Sequence, residues 1–288
     1  MKIAVLLTCF NRKEKTLNAL ENLMQALNTV SKNINLKIYL TDDGSTDGTG
    51  DAVKEKYPEA TVLQGNGNLF WAGGMRNSWR EAIKKDNDAY LLLNDDTFVS
   101  SNVFSQLIEA HEYSKEKFGM GGIYLGSTKD IDTGLLSYGG AKLTNKFLFK
   151  YEFVQPNGNF QSCDLGNANI MMVSNDVVSK IGILSEGYVH GVADYDYTLK
   201  AVDKNIPVLI TKDYCGTCTD DHSDIYQVFP EKTFKERLAL LKSPLALDFG
   251  SNFNLMKRHF PLRVPFVLLS AGFKLLLPNL YVKLSNLR

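Results

Sequence analysis

The chain has 288 residues, 44% of them hydrophobic and 22% charged, and its formal net charge is zero. Such a chain buries a sizeable core as one large domain, or one domain with an appendage. Balanced charge excludes a nucleic-acid partner held mainly through its phosphates, and four cysteines are too few for a disulfide framework. The first 248 residues carry −6. The last 40 contain no acid and carry +6, on Lys257, Arg258, Arg263, Lys274, Lys283 and Arg288.

Residues 2–9 (KIAVLLTC) read as a buried strand. Their apolar run is short and meets Asn11-Arg12-Lys13 at once, which favours a first strand over a leader. Leu17, Leu20, Leu23, Met24 and Leu27 recur at helical spacing, predicting a helix over 14–30. A second strand over 36–41 runs into Asp42-Asp43-Gly44-Ser45, and a helix over 47–57 has Asp47 near its N-cap and Pro58 beyond its end. A short strand over 60–64, the turn cluster Gly65-Asn66-Gly67-Asn68 and a helix opened by Gly73-Gly74 come next. The four-residue apolar run Tyr90-Leu91-Leu92-Leu93 then leads into Asn94-Asp95-Asp96. Alternation at this spacing predicts a parallel sheet covered by helices on both faces. Antiparallel hairpins added to that sheet are expected over 119–155, with 146–153 as one strand. A strand over 169–174, helices over 176–181 and 194–204 and a strand over 206–211 complete the sheet, and helices beyond Thr233 lead into the apolar, basic tail.

Two strands that end in paired acids place four carboxylates on one edge of a parallel sheet. There, like charges call for a cation, raised pKa values or solvent, and ligands bind beyond the carboxyl ends of the strands. A hard divalent cation with a phosphate partner fits such acids. An EF-hand is excluded, because the loop counted from Asp43 has Lys54 where a bidentate Glu is needed. Cys215-x-x-Cys218 with His222 supplies three ligands for zinc and no fourth nearby, and the pair lacks the helix start that redox chemistry uses.

Thr8-Cys9-Phe10-Asn11-Arg12, then Thr41-Asp42-Asp43-Gly44-Ser45-Thr46-Asp47-Gly48-Thr49, then Asn94-Asp95-Asp96 resembles the inverting family 2 glycosyltransferases of GT-A fold. The glycine turn at 65–68 followed by Gly73-Gly74-Met75-Arg76-Asn77 resembles the rhamnosyltransferase-like branch, as does Ala193-Asp194-Tyr195-Asp196 before Tyr197-Thr198-Leu199-Lys200. His222-Ser223 resembles the histidine late in the catalytic domain.

The resemblance implies a catalytic domain over 1–228, its nucleotide-binding half over 1–100 and its acceptor-binding half over 101–228. A helical extension occupies 229–288. It implies a nucleotide-sugar donor, UDP- or dTDP-linked, with Thr8, Asn11 and Arg12 lining the nucleotide pocket, Asp43 at the base and Asp42 beside it. Asp95 would lie near the donor ribose or sugar, Asp96 would hold Mn2+ or Mg2+, and His222 would be a further metal or diphosphate ligand. Arg76 would meet the diphosphate; otherwise it is a solvated helix residue. Asp194 would be the base that deprotonates the acceptor hydroxyl, a glycan or lipid-linked glycan in bacterial surface polysaccharide synthesis. The alternative for Asp194 is a helix cap. Ala193 stands where the family carries Glu. Phe70 and Trp71 would stack on a base or acceptor, or anchor the core.

A sugar-nucleotide nucleotidyltransferase would show a Gly-rich basic signature after the first strand, which Thr8–Arg12 is not. A non-catalytic nucleotide- or carbohydrate-binding scaffold is favoured only by Ala193. No stretch reaches the ~18 apolar residues that span a bilayer. The tail suits either an interfacial helix on the anionic inner membrane of a cytoplasmic enzyme or cover by its own domain or a homodimer partner.

Overall fold

The structure, a computed structural model, describes residues 1–30, 32–220 and 225–285. The first half alternates as the periodicity predicts: β1 (Lys2–Cys9), α1 (Lys13–Asn28), β2 (Asn35–Asp42), α2 (Thr49–Lys56), β3 (Thr61–Gln64), α3 (Phe70–Ala82) and β4 (Ala89–Leu93). The second half continues with β5 (Phe98–Val99), α4 (Val103–Phe118), β6 (Ile123–Leu125), β7 (Thr128–Lys129), β8 (Leu136–Tyr138), β9 (Gly140–Asn145), β10 (Lys150–Phe153), β11 (Gln161–Ser162) and β12 (Leu165–Gly166). Then come β13 (Ile170–Ser174), α5 (Asn175–Ile181), α6 (Ala193–Asp203), β14 (Val208–Ile210) and β15 (Gly216–Thr217). Four helices close the chain: α7 (Phe234–Lys242), α8 (Phe249–His259), α9 (Val264–Leu276) and α10 (Pro278–Ser285).

The central sheet has eight strands in the order β11-β14-β6-β13-β4-β1-β2-β3. β1 runs parallel to β2 and β4, and β2 to β3, so their carboxyl ends share an edge. β13 lies antiparallel between β4 and β6, with Ile170 opposite Leu93, and therefore begins at that edge. Alternate residues of one strand bury on opposite faces. On one face Ile3, Val5, Leu7, Leu91 and Leu93 pack with Leu20 and Leu23 of α1 and Phe104 and Leu107 of α4. On the other, Ala4, Leu6, Tyr90 and Leu92 pack with Met75 and Trp79 of α3 and Tyr197 of α6. Each fully buried leucine contributes about 1.5–3 kcal/mol, which explains why these strands read as apolar runs.

Three expectations change. Gly73 and Gly74 lie inside α3, which starts at Phe70, rather than opening it. At Gly74 the helix crosses β1 so closely that a Cβ would overlap Thr8 Oγ1, so the glycine serves packing there. Of the antiparallel region expected over 119–155 only β6 joins the central sheet: β9, β10 and β12 form a three-stranded sheet, and β5, β15, β7 and β8 a four-stranded one. Residues 146–149 are the turn between β9 and β10, so only Lys150–Phe153 of the expected strand is extended.

Helix α8 packs on α6, with Leu255, Met256 and Phe260 meeting Tyr188, Ala193 and Leu199. Among the described residues no single helix is long and apolar enough to cross a membrane. Pro261–Leu276 and Pro278–Ser285 together have the length and composition, but they are bent by 112°.

Candidate active site

The four acids at the sheet edge are compensated in two ways. Asp42 Oδ1 accepts from Ser45 N at 2.8 Å and Oδ2 from Gly50 N at 3.0 Å, in the first turn of α2. Asp43 Oδ1 accepts from Gly67 N at 2.9 Å, and Oδ2 from Leu69 N and Phe70 N, both at 2.9 Å, at the start of α3. Both are buried and favourably placed at positive helix ends. In this conformation Asp43 binds the 65–70 loop through both its oxygens.

Asp95 and Asp96 share Arg12, whose Nη1 lies 3.2 Å from Asp95 Oδ1 and 2.6 Å from Asp96 Oδ2. Thr16 Oγ1 donates to Asp95 Oδ2 at 3.4 Å. Burial pushes Asp95 up to about 6, against the pull of Arg12 and with the help of Asp96. Thus the charge problem visible in the sequence is answered by five backbone amides, one guanidinium and one raised pKa.

Thr8, the last residue but one of β1, lies beside Gly74 of α3. Asn11 holds the 45–46 turn: its N donates to Ser45 Oγ at 2.9 Å, and its Oδ1 accepts from Thr46 N at 2.7 Å. Three non-glycine residues with left-handed backbone flank the crevice, Asn11 (φ 51°), Phe70 (φ 53°) and Val192 (φ 55°). Each costs about 1–2 kcal/mol. They persist because Ser45 and Thr46 fix Asn11, Asp43 fixes Phe70, and Asp248 Oδ2 accepts from His190 N and Gly191 N just ahead of Val192.

Asp194 reaches the same edge from α6. Its Oδ2 accepts from Ala168 N at 3.1 Å, at the entry to β13, and its Oδ1 from Tyr195 N at 2.8 Å. The antiparallel β13 makes the link: Asn94 N donates to Asn169 O at 3.2 Å, Asn169 Nδ2 to Cys218 Sγ at 3.3 Å, and Cys218 Sγ lies 4.0 Å from Asp96 Oδ1. The structure therefore brings Thr8, Asn11, Arg12, Asp42, Asp43, Asp95, Asp96 and Asp194 to one edge. His222 lies outside the described residues.

Arg76 turns elsewhere. Its Nη1 donates to Ser185 O and its Nη2 to Tyr188 O, each at 3.0 Å, while its Nε pairs with Glu186 at 3.3 Å. It braces the loop ahead of Asp194, and burial lowers its pKa. Trp71 is partly buried and its Nε1 donates to Asn94 Oδ1 at 2.8 Å, which ties α3 to the end of β4. Ala193 is fully buried beside Tyr188 and Leu255, so a Glu there would need a buried partner. Cys215 and Cys218 bond to different groups, Thr211 and Asn169. Among the described residues no three His, Cys, Asp or Glu side chains converge as a metal cluster.

Reading by residue type does not find the partners of Asp196. This buried carboxylate accepts from Tyr188 Oη at 2.9 Å and Arg258 Nη1 at 2.8 Å, and it lies 2.9 Å from His259 Nε2. The only sequence signal is that Asp196 sits two residues from Asp194 and faces away from it.

A mostly parallel α/β sheet with its acids at the carboxyl edge, flanked by helices and followed by a helical C-terminal region, is the GT-A fold. The model of the family "Glycosyl transferase family 2" matches residues 4–168, more than half of the chain, and the chain belongs to that family. Among solved structures it is similar to the mannosyltransferase PcManGT from Pyrobaculum calidifontis in complex with GDP-Man and Mn2+. The TM-score is 0.55 at 11% identity, over 96% of this chain and 70% of that one. It is also similar to TarS from S. aureus, with a TM-score of 0.51 at 15% identity, over 90% of this chain and 44% of that one. At these identities the likeness is one of fold. No curated protein sequence matches the chain.

Proposed function

We propose that this glycosyltransferase is an inverting enzyme of the rhamnosyltransferase-like branch. It moves a hexosyl or deoxyhexosyl group from a UDP- or dTDP-sugar to a glycan or lipid-linked glycan in bacterial surface polysaccharide synthesis. The observation that carries this reading is the meeting of Asp194 with the Arg12–Asp95–Asp96 group at one sheet edge, joined through Asn169 and Cys218. Four buried thiols outside any disulfide suit a reducing cytoplasm.

Inversion in one displacement needs a base on the face opposite the leaving group. In this reading Asp194 takes the acceptor hydroxyl's proton as that oxygen attacks the anomeric carbon, and the Ala168 amide fixes the rotamer of the carboxylate. Thr8, Asn11 and Arg12 line the nucleotide pocket, with Asp42 and Asp43 holding the loops around it. Asp96 fits a hard divalent ion. Mg2+ and Mn2+ sites of this kind use one or two carboxylates with substrate phosphates and water, and need no three-residue protein cluster. Bound there, such an ion supplies Lewis-acid stabilisation of the diphosphate leaving group. Arg12 supplies positive charge at the same acids and would turn to the diphosphate when an ion takes its place. A buried Ala193 weakens the scaffold reading, because the α8 contact accounts for the missing Glu.

Calorimetry with a panel of nucleoside diphosphates and nucleotide-sugars, with and without manganese, tests the donor site. The expected result is metal-dependent binding of one nucleotide, lost in Asp96→Ala. Binding to none of them would return the protein to the scaffold reading.

A further inference from the structure

The turn of the β9–β10 hairpin and helix α9 meet at the surface. Phe147 and Phe266 lie with ring centroids 6.1 Å apart, edge to face, yet they stay 56% and 60% exposed. Leu148 beside Phe147 is half exposed. Leu269, three residues after Phe266 in α9, is 71% exposed and shares its side of the helix, and Leu262 in the turn just ahead of α9 is 75% exposed. Two elements more than a hundred residues apart thus make one uncovered apolar surface, and Arg263 Nη1 pins them together by donating to Phe147 O at 3.2 Å. A contiguous exposed patch of this kind marks an interaction site.

The charges around it select the partner. The chain from Phe249 onward contains no acid, and the hairpin carries Lys142, Lys146 and Lys150 against one acid, Glu152. A second copy would set the same basic surface against itself across a two-fold axis, where like charges oppose association. An anionic lipid surface attracts both halves of it, the leucines and phenylalanines into the acyl boundary and the lysines to the headgroups. The 112° bend after Leu276 suits a helix lying in the interface rather than one crossing the bilayer.

We infer that the hairpin turn Phe147–Leu148 and the outer face of α9 form a single surface that seats the enzyme on an anionic lipid leaflet. The hairpin also packs toward the base, with Tyr151 and Tyr195 rings 6.0 Å apart. On the transferase reading above, seating this surface on lipid holds the Asp194 side next to the leaflet, where a lipid-linked acceptor presents its sugar.

The full chain is tested by co-sedimentation with vesicles of phosphatidylcholine, with and without phosphatidylglycerol. The expected result is binding that rises with phosphatidylglycerol and falls with salt. Phe147→Ser with Leu148→Ser, and separately Phe266→Ser with Leu269→Ser, should each weaken it roughly tenfold or more. Both double variants replace exposed side chains, and unchanged far-UV dichroism and donor affinity by calorimetry certify the fold and keep this test separate from that of the transferase reading. Three outcomes overturn the inference: a wild-type chain that ignores anionic vesicles, hairpin variants that bind like wild type, or a solution dimer that the Phe266 variant converts to monomer without lipid binding in either form.

Discussion

Asp194 is held by two backbone amides, one of them its neighbour's in α6 and the other from the strand entry at Ala168. Val192, not Asp194, holds the cap position of α6, and no side chain caps that helix. The Ala168 amide holds the carboxylate at the sheet edge where Asp95 and Asp96 stand, as the proposed base role requires. Asp194→Asn keeps the size of the side chain and one acceptor oxygen but removes the basicity. It is expected to leave donor affinity in calorimetry near normal and to cut turnover about 10²–10⁴-fold; retained turnover would assign the proton to another group. At this scale the sequence was most legible where an acid ends a strand, as at Asp42-Asp43 and Asp95-Asp96, because the end of an apolar run is a local signal. Which groups compensate those acids was not legible. Arg12 was placed near the nucleotide, but its ion pairs cross 83 and 84 residues, and Arg76 was expected at the diphosphate where the fold turns it to the loop at 185–188.

Among the elements, α3 shows how packing overrides a local rule. Glycine pairs often punctuate helices, yet Gly73-Gly74 lies within one because α3 crosses β1 at Thr8. Gly74→Ala is expected to destabilise the protein by about 1–3 kcal/mol in urea unfolding, since the added methyl must push Thr8 or the helix aside. Gly272→Ala in α9 supplies the contrast. Nothing lies within 4 Å of a Cβ there, so the exchange should stabilise by up to about 1 kcal/mol through helix propensity. Equal effects at the two positions would refute the packing account. The alternation from β1 to β4 was readable because each element carries its own periodicity. Helix α4 is absent from the sequence reading, although Phe104, Leu107 and Ile108 and the left-handed Gly119 at its end carry a signal. The separate small sheets were not readable, because strands of two to six residues take their partners from topology.

Over the whole molecule, the C-terminal helices are not a passive appendage. Asp196 of α6 is fully buried and bound to Arg258 and His259 of α8, and Asp248 and Ser251 bond the backbone of the loop that precedes Asp194. Burial alone would raise Asp196, but hydrogen bonds from His259, Ser185, Tyr188 and Arg258 outweigh it and hold the carboxyl at about 2. The unfolded value is about 3.9, so the folded state binds fewer protons. This tie therefore contributes above pH ~4 and is lost as pH falls toward 2, amounting to about 2–3 kcal/mol. Urea unfolding between pH 5 and pH 3 should show stability falling with acid in wild type, and falling less steeply in Asp196→Asn. Parallel slopes would mean that the tie stores no such energy. The split at residue 228 comes from the extent of the family resemblance, whereas these contacts run across it and leave no local pattern.

The distance of that tie along the chain also sets an order of events in synthesis. The partners of Asp196 come 62 and 63 residues later. At about 5–20 residues per second they emerge from the ribosome roughly 3–12 s after it. Until then the nascent chain has made β1 to β4 in full, while the loop ahead of Asp194 still lacks the helix that shapes it. The protein thus acquires strands β1 to β4 first and the final shape of the loop ahead of Asp194 last.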